Sequence, residues 1–246
     1  MHTLALDIGN TAVKAGCFDG PHLRKMAAGL SGAEVVDLVR HWQPRHVVVS
    51  SVAQEAALTV QELQALVPGR ILAFNPATTA LPLQNAYATP HTLGADRLAA
   101  AVGAWYLRPG RATVIVDAGT ALKLDLVSAD GTFRGGSIAP GLQLRLKALH
   151  HFTGRLPMLE LPAPHATVSL TGDSTQGAML SGVVNGAVAE IQGLLASYRR
   201  QQPGLGVLLT GGDAGFLAPR LSARIFVVPE LVLLGLNRIL AYNVEE

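Results

Sequence analysis

Short runs of β-branched and apolar residues recur along the chain, alternating with stretches in which apolar positions fall at helical spacing. Residues 3–8 (TLALDI) and 12–18 (AVKAGCF), separated by GNT, predict a strand, a tight turn and a second strand. Ser31 and Glu34 form a capping-box signature ahead of VVDLVRHW, which predicts a helix. HVVVSSV at 46–52 then reads as a buried strand. A further helix is expected over Glu55 to Leu66 and a strand over Arg70 to Phe74. Asn75 to Pro90, with three prolines, is expected to be a loop or boundary, and helix resumes at Leu93.

RPGR at 108–111 breaks that helix, after which ATVIVDAGTALKLDLV repeats the opening pattern of apolar strand, aspartate, glycine, threonine and second strand. DIGNT at 7–11 and DAGTA at 117–121 share the form D-x-G-x-x, 110 positions apart, and suggest two related domains, 1–112 and 113–246. The second half continues with a glycine turn at Gly135 and Gly136, a helix from about Leu142 and a proline-broken loop. A long small-residue helix from about Ser174 to Arg199, the strand and diglycine turn GVLLTGG, and a last helix from Pro229 to Tyr242 complete it.

With 246 residues, 49% hydrophobic and only 15% charged, the chain has the composition of a compact α/β protein and not of a disordered one. A net charge of +2 gives no basic face, so a nucleic-acid partner is not expected. The N-terminus lacks a basic region before its apolar run, and no uninterrupted apolar stretch approaches the roughly 20 residues of a bilayer crossing. A cytoplasmic protein without membrane attachment is the expectation. Cys17, the single cysteine, rules out an internal disulfide and reads as a core residue.

A strand ending in D-x-G-x-T and turning at once into another strand aims consecutive backbone N–H groups outward, which suits a phosphate. The carboxylate of Asp7 beside such a turn suits a hydrated magnesium ion, which keeps several waters. A lone D-x-G is more often only a hairpin turn; the recurrence favours chemistry. LLTGGD at 208–213 adds a diglycine turn between strand and helix, where backbone can approach a nucleobase or ribose. Neither a G-x-x-x-x-G-K-[ST] loop nor a G-x-G-x-x-G fingerprint is present.

This trio resembles the acetate kinase, sugar kinase, Hsp70 and actin superfamily. The resemblance implies an α/β fold of two ribonuclease H-like domains with ATP in the cleft between them. YATPHTLGADR (87–97), with DIGNTAVK, VDAGTA, GGSIAPG (135–141), GDSTQGAM (172–179) and LLTGGD, narrows the resemblance to type III pantothenate kinase over nearly the whole chain. That family implies ATP-dependent phosphorylation of pantothenate to 4′-phosphopantothenate, the first step of coenzyme A synthesis, by a homodimer using magnesium and a monovalent cation, potassium or ammonium. A non-catalytic nucleotide-binding relative, similar to an accessory transcription factor, is the alternative; retention of Asp7, Asp96, Arg97 and Asp117 argues against it. A sugar kinase is the other rival, disfavoured by GADR.

Carried over position by position, the resemblance makes Asp7, Ile8, Gly9, Asn10, Thr11, Ala12, Val13 and Lys14 the first phosphate loop and Thr120 the second ATP contact. Asp117 would bind the monovalent cation. Gly94, Ala95, Asp96 and Arg97 would hold pantothenate, with Asp96 as general base, Tyr87 beside the substrate and Thr175 reaching it from a partner subunit. Phosphoryl transfer needs a carboxylate to accept the hydroxyl proton, and an arginine fork suits the pantothenate carboxylate. On the residues alone, an aspartate and arginine opening a helix can equally be a dipole-favoured acid and a surface cation.

The chain departs from the family's pattern at Lys123, where many members hold a small hydroxyl residue. Its ammonium either replaces part or all of the ion's charge or alternates outward to solvent, and Asp125 on the same strand face leaves both readings open. The eight histidines show no H-E-x-x-H pattern; His150 and His151 would point about 100° apart on a helix. The small residues of STQGAMLSGVVNGAVAEIQG suit close helix packing, either within the core or at a subunit interface.

Overall fold

The computed structural model describes residues 1–9, 13–51 and 63–244. They form two compact units, Met1–Gly110 with Val127–Arg134 and Glu230–Glu246, and Arg111–Leu126 with Gly135–Pro229. In chain order the elements of the first unit are β1 (His2–Ile8), β2 (Val13–Asp19), β3 (His22–Leu30), α1 (Gly32–Trp42), β4 (His46–Ser51), β5 (Ile71–Ala73), β6 (Gln84–Asn85) and α2 (Ala95–Leu107). Then come β7 (Thr113–Ala118), β8 (Ala121–Val127), β9 (Thr132–Pro140), α3 (Leu142–His151), α4 (Thr175–Leu180), α5 (Gly186–Gln201), β10 (Gly206–Thr210), α6 (Ala214–Leu217) and β11 (Phe226–Val227). The last helix, α7 (Leu231–Val244), belongs to the first unit.

The first sheet has the order β3-β2-β1-β4-β5, with β1 antiparallel to β2 and parallel to β4. Its central strand is buried over four consecutive positions, as expected of a strand covered on both faces. Leu4, Leu6, Cys17, Val47 and Val49 pack with Val35, Leu38 and Val39 of α1. The opposite face meets α7, where the Thr3 hydroxyl donates to Oδ1 of Asn237 at 2.6 Å. The expected capping box is present: Ser31 Oγ accepts from the Glu34 N–H, and Oε2 of Glu34 accepts from the Ser31 N–H at 2.8 Å. Cys17 is a core residue, and burial pushes its thiol up to about 11.

α7 lies directly on α2 because two glycines let the backbones touch. A Cβ on Gly235 would collide with the Ala99 carbonyl, and one on Gly103 would reach the Gly235 nitrogen at 3.2 Å. Fully buried Leu98, Ala101, Leu236, Ile239 and Leu240 fill the layer on and around these helices.

Strands β9-β8-β7-β10-β11 of the second sheet repeat the order of the first: third, second and first strand, then fourth and fifth. The repetition extends to single residues. Asp7 and Asp117 are each the penultimate residue of their unit's first strand, and each pairs with a buried hydroxyl residue on the parallel fourth strand, Ser50 and Thr210 respectively. The core of this unit joins Val114, Val116, Leu122 and Leu124 with Leu146, Val184, Ala187, Ile191 and Leu195.

Several elements depart from the expectations. Gly135 and Gly136 are not a turn but lie inside β9. Gly135 has φ +79°, and a Cβ on Gly136 would collide with the Leu124 carbonyl of β8, so the pair allows a bend and a close approach within the sheet. The strand β3 carries no alternating signal, being largely exposed with charged residues at Arg24 and Lys25, as suits an edge strand. The long helix is interrupted by a π turn over Ser181–Asn185. Segment 175–201 has the length and apolar content of a bilayer crossing, yet Val183, Val184, Ala187, Ile191 and Leu195 spend its apolar face on the core. The helix expected over Glu55 to Leu66 falls mostly outside the described residues.

Candidate active site

In the first unit, the site residues centre on the start of α2. Gly94 is the N-cap, Ala95 is buried, and the Asp96 carboxylate lies in the first turn, where the helix dipole favours negative charge. Oδ1 of Asp96 accepts the Arg97 N–H at 2.9 Å, and a Cβ on Gly94 would stand 2.6 Å from that same oxygen. Glycine at 94 therefore makes room for the carboxylate. Arg97, only 5% exposed, sets its guanidinium 5.3 Å from the Tyr87 ring centre and 5.9 Å from that of Phe133. Tyr87 is fixed in turn by its own N–H, which donates to Oδ1 of Asn85 at 3.1 Å, and Asn85 pairs with Phe133 between β6 and β9. Phe133, packed against the candidates Tyr87 and Arg97, was missed by sequence reading; the two-residue β6 brings it to Tyr87, and its place after a glycine turn gave no local sign.

The first D-x-G segment begins at the end of β1, which pairs antiparallel with β2. Asp7 stands opposite Lys14 and Ile8 opposite Val13 in the antiparallel ladder, while Gly9 follows the end of β1. Asn10, Thr11 and Ala12 lie outside the described residues. Asp7 and Lys14 are half-buried and opposite one another in the ladder.

In the second unit, three glycine turns meet. Gly119 donates its N–H to the Ala121 carbonyl at 3.1 Å, which closes the DAGT turn and leaves Thr120 exposed at its tip. Gly141 donates to the Thr120 carbonyl at 3.0 Å, and a Cβ there would stand 2.7 Å from that oxygen. Gly211, at φ +95°, brings the diglycine turn onto Asp117, and the Asp213 N–H donates to the Ala118 carbonyl at 2.8 Å. Burial raises the Asp213 carboxyl above its ordinary range. Only glycine fits at Gly141 and Gly211, which gives the ends of GGSIAPG and LLTGGD a common physical reason, whereas a Cβ on Gly119 of DAGT would meet only ordinary contacts.

Asp117 does not face open solvent. Nζ of Lys123 stands 2.7 Å from its Oδ2, with the two side chains 14% and 17% exposed. The Lys123 side chain thus turns inward to the aspartate and not outward to water. Asp125, two positions along β8, is 3% exposed; burial of the Tyr198 ring, and after it the Asp125 carboxylate, raises the Tyr198 hydroxyl above its ordinary range.

A family model described as type III pantothenate kinase matches residues 3–197. A type III pantothenate kinase of Cytophaga hutchinsonii is 41% identical over 241 residues, covering 98% of this chain and 99% of the relative. The chain belongs to the type III pantothenate kinase family. Among solved structures, a Baf family transcriptional activator from Campylobacter jejuni matches with a TM-score of 0.58 at 20% identity, over 98% of both chains. An activator of 2-hydroxyisocaproyl-CoA dehydratase from Clostridium difficile with bound ADPNP matches with a TM-score of 0.52 at 15% identity, over 98% of this chain and 94% of that one. Both show the fold alone.

In this type III pantothenate kinase family member, Thr175 is the first residue of α4, exposed, on a turn capped by Ser174 Oγ accepting the Gly177 N–H at 3.1 Å. It belongs to the second unit, whereas Tyr87 and Gly94–Arg97 belong to the first. The histidines of α3 are held locally: His150 Nδ1 lies 2.8 Å from the Leu156 carbonyl and His151 rests edge-on against Phe152.

Proposed function

We propose that this chain phosphorylates pantothenate with ATP, giving 4′-phosphopantothenate. Family membership across nearly the whole chain supports it, and the observation that carries it is local: a carboxylate, Asp96, beside a buried aromatic-framed arginine, Arg97, at one helix start. The bound ADPNP of the Clostridium difficile neighbour supports a nucleotide in this fold.

Asp96 accepts the proton of the substrate hydroxyl as it attacks the γ-phosphate; the Arg97 N–H on its Oδ1 fixes the carboxylate's direction. Arg97 presents its fork of donors to the pantothenate carboxylate, with Tyr87 beside the substrate. The turn from Asp7 to Lys14 and the turn at Thr120 donate backbone N–H groups to the phosphates. Asp7, a single half-buried carboxylate at a strand end, fits a hydrated magnesium ion, which when bound neutralises phosphate charge. At Asp117, where the family resemblance sets a monovalent cation, the Lys123 ammonium already contacts the carboxylate, so the residues present do not fit an ion there.

A homodimer in the cytoplasm is part of the proposal, with Thr175 of one copy serving the pantothenate site of the other. Exposed Ile138, Leu144, Phe152, Met158 and Leu170 in the second unit support an interface. A coupled ADP-release assay with pantothenate beside a panel of sugars tests the substrate: release with pantothenate alone is expected, and release with a sugar alone would overturn the reading.

A further inference from the structure

We infer that Lys123 is this chain's own cation at Asp117: its ammonium fills the place in which the family resemblance sets a monovalent metal ion, and phosphoryl transfer requires no added potassium or ammonium. The inference deepens the kinase reading and rests on it.

One carboxylate oxygen of Asp117 is engaged by the chain itself, and the other lies against its backbone. Oδ2 takes the Lys123 ammonium at 2.7 Å. Oδ1 abuts the diglycine turn, where a Cβ on Gly211 would stand 2.6 Å away. A metal ion seeking Oδ2 would have to displace the ammonium or lie in contact with it, and two positive charges so placed in a mostly water-excluded site repel strongly. The pair itself is not a surface ion pair, since neither side chain is more than 17% exposed. An ammonium removed from water to that extent is stable only against an anion, and the buried Asp125 two positions along supplies further negative charge on the same strand face.

The position is functional because Asp117 precedes Gly119 and Thr120 of the turn proposed for the phosphates. One fixed positive unit there neutralises developing negative charge as a bound ion would, without the cost of capturing the ion from solution. Lys123 is thus a positioning and electrostatic residue, built into β8 and fixed by its strand register.

Turnover is measured in the chlorides of potassium, ammonium and tetramethylammonium at one ionic strength, for the full chain and for Lys123→Ala. The wild type is expected to turn over equally in all three. Lys123→Ala is expected to fall by roughly 10²-fold in tetramethylammonium and to recover, saturably, in potassium or ammonium. A second readout is independent of activity: crystals soaked in thallium(I) are expected to show no anomalous peak at Asp117 in the wild type and a peak there in Lys123→Ala. Strong activation of the wild type by potassium or ammonium, a thallium peak on its Asp117, or a folded Lys123→Ala whose rate is undiminished or beyond rescue by either ion would each overturn the inference. Where Lys123→Ala does not fold, the wild-type salt series and thallium soak decide. The thallium result needs no substrate, so a failure to phosphorylate pantothenate overturns the kinase reading separately.

Discussion

Nη1 of Arg97 stands 3.4 Å from the Tyr87 hydroxyl, and the buried guanidinium packs beside two aromatic rings, Tyr87 and Phe133, whose centres are themselves 6.0 Å apart. A planar cation framed in this way presents its donors in one fixed direction, which a lysine ammonium would not. Arg97→Lys is expected to raise the KM for pantothenate by about 10- to 100-fold, the loss of one charge-assisted bidentate contact, with kcat changed far less. Steady-state kinetics check it, and an unchanged KM would remove Arg97 from the substrate site.

Gly94 gives a second test of the same corner. Its backbone dihedrals, φ −59° and ψ 127°, are open to any residue, so a methyl group there acts only through the space it takes, 2.6 Å from Oδ1 of Asp96. Gly94→Ala is expected to turn the Asp96 side chain and lower kcat by about 10- to 100-fold, on the scale of a misplaced catalytic group. The melting temperature should change little. A variant with wild-type kcat would show that the carboxylate's direction is unimportant.

Stability of the first unit should depend on the glycine contact between α2 and α7. Gly235→Ala forces a Cβ onto the Ala99 carbonyl, which backbone cannot yield cheaply, and is expected to cost at least about 1–3 kcal/mol. Gly193→Ala in α5, where nothing lies within 4 Å, is expected to be neutral or to stabilise by about 0.5–1 kcal/mol. Urea unfolding of the two variants measures the contrast.

Asp213 provides a pH signature. Burial raises its folded pKa above the unfolded value of 3.8, so the folded state binds the proton more tightly. Its contribution to stability is then fully present below 3.8 and is lost as pH rises through the raised folded value. Asp213→Asn removes the ionisation, and the melting temperature of the variant relative to wild type is expected to climb from acid to neutral pH. A difference that stays constant across that range would contradict the assignment.

The repeated pattern of an apolar strand ending in aspartate was legible because apolar runs ending in D-x-G carry a strong local signal, as at Asp7 and Asp117, whereas the shared strand order of the two sheets was not. The capping box at Ser31 was equally local. What escaped depends on tertiary contact. β3 is an exposed edge whose partner β2 defines it, and Gly135 and Gly136 look like a turn until Leu124 is seen to press against the second of them. Phe133 joins Tyr87 and Arg97 only through the pairing of Asn85 with it, a relation between positions 48 residues apart. Lys123 showed its residue type but not its direction, because a strand position alone does not say which partner waits on the inward face.

ADP release by the purified chain with ATP and pantothenate, compared between wild type and Asp96→Asn, tests the proposed catalysis most directly. Pantothenate-dependent release by the wild type and a fall of roughly 10²- to 10⁴-fold in the variant, with ATP binding kept, is the expected result. No pantothenate-dependent release by the wild type, or undiminished turnover by Asp96→Asn, would contradict it.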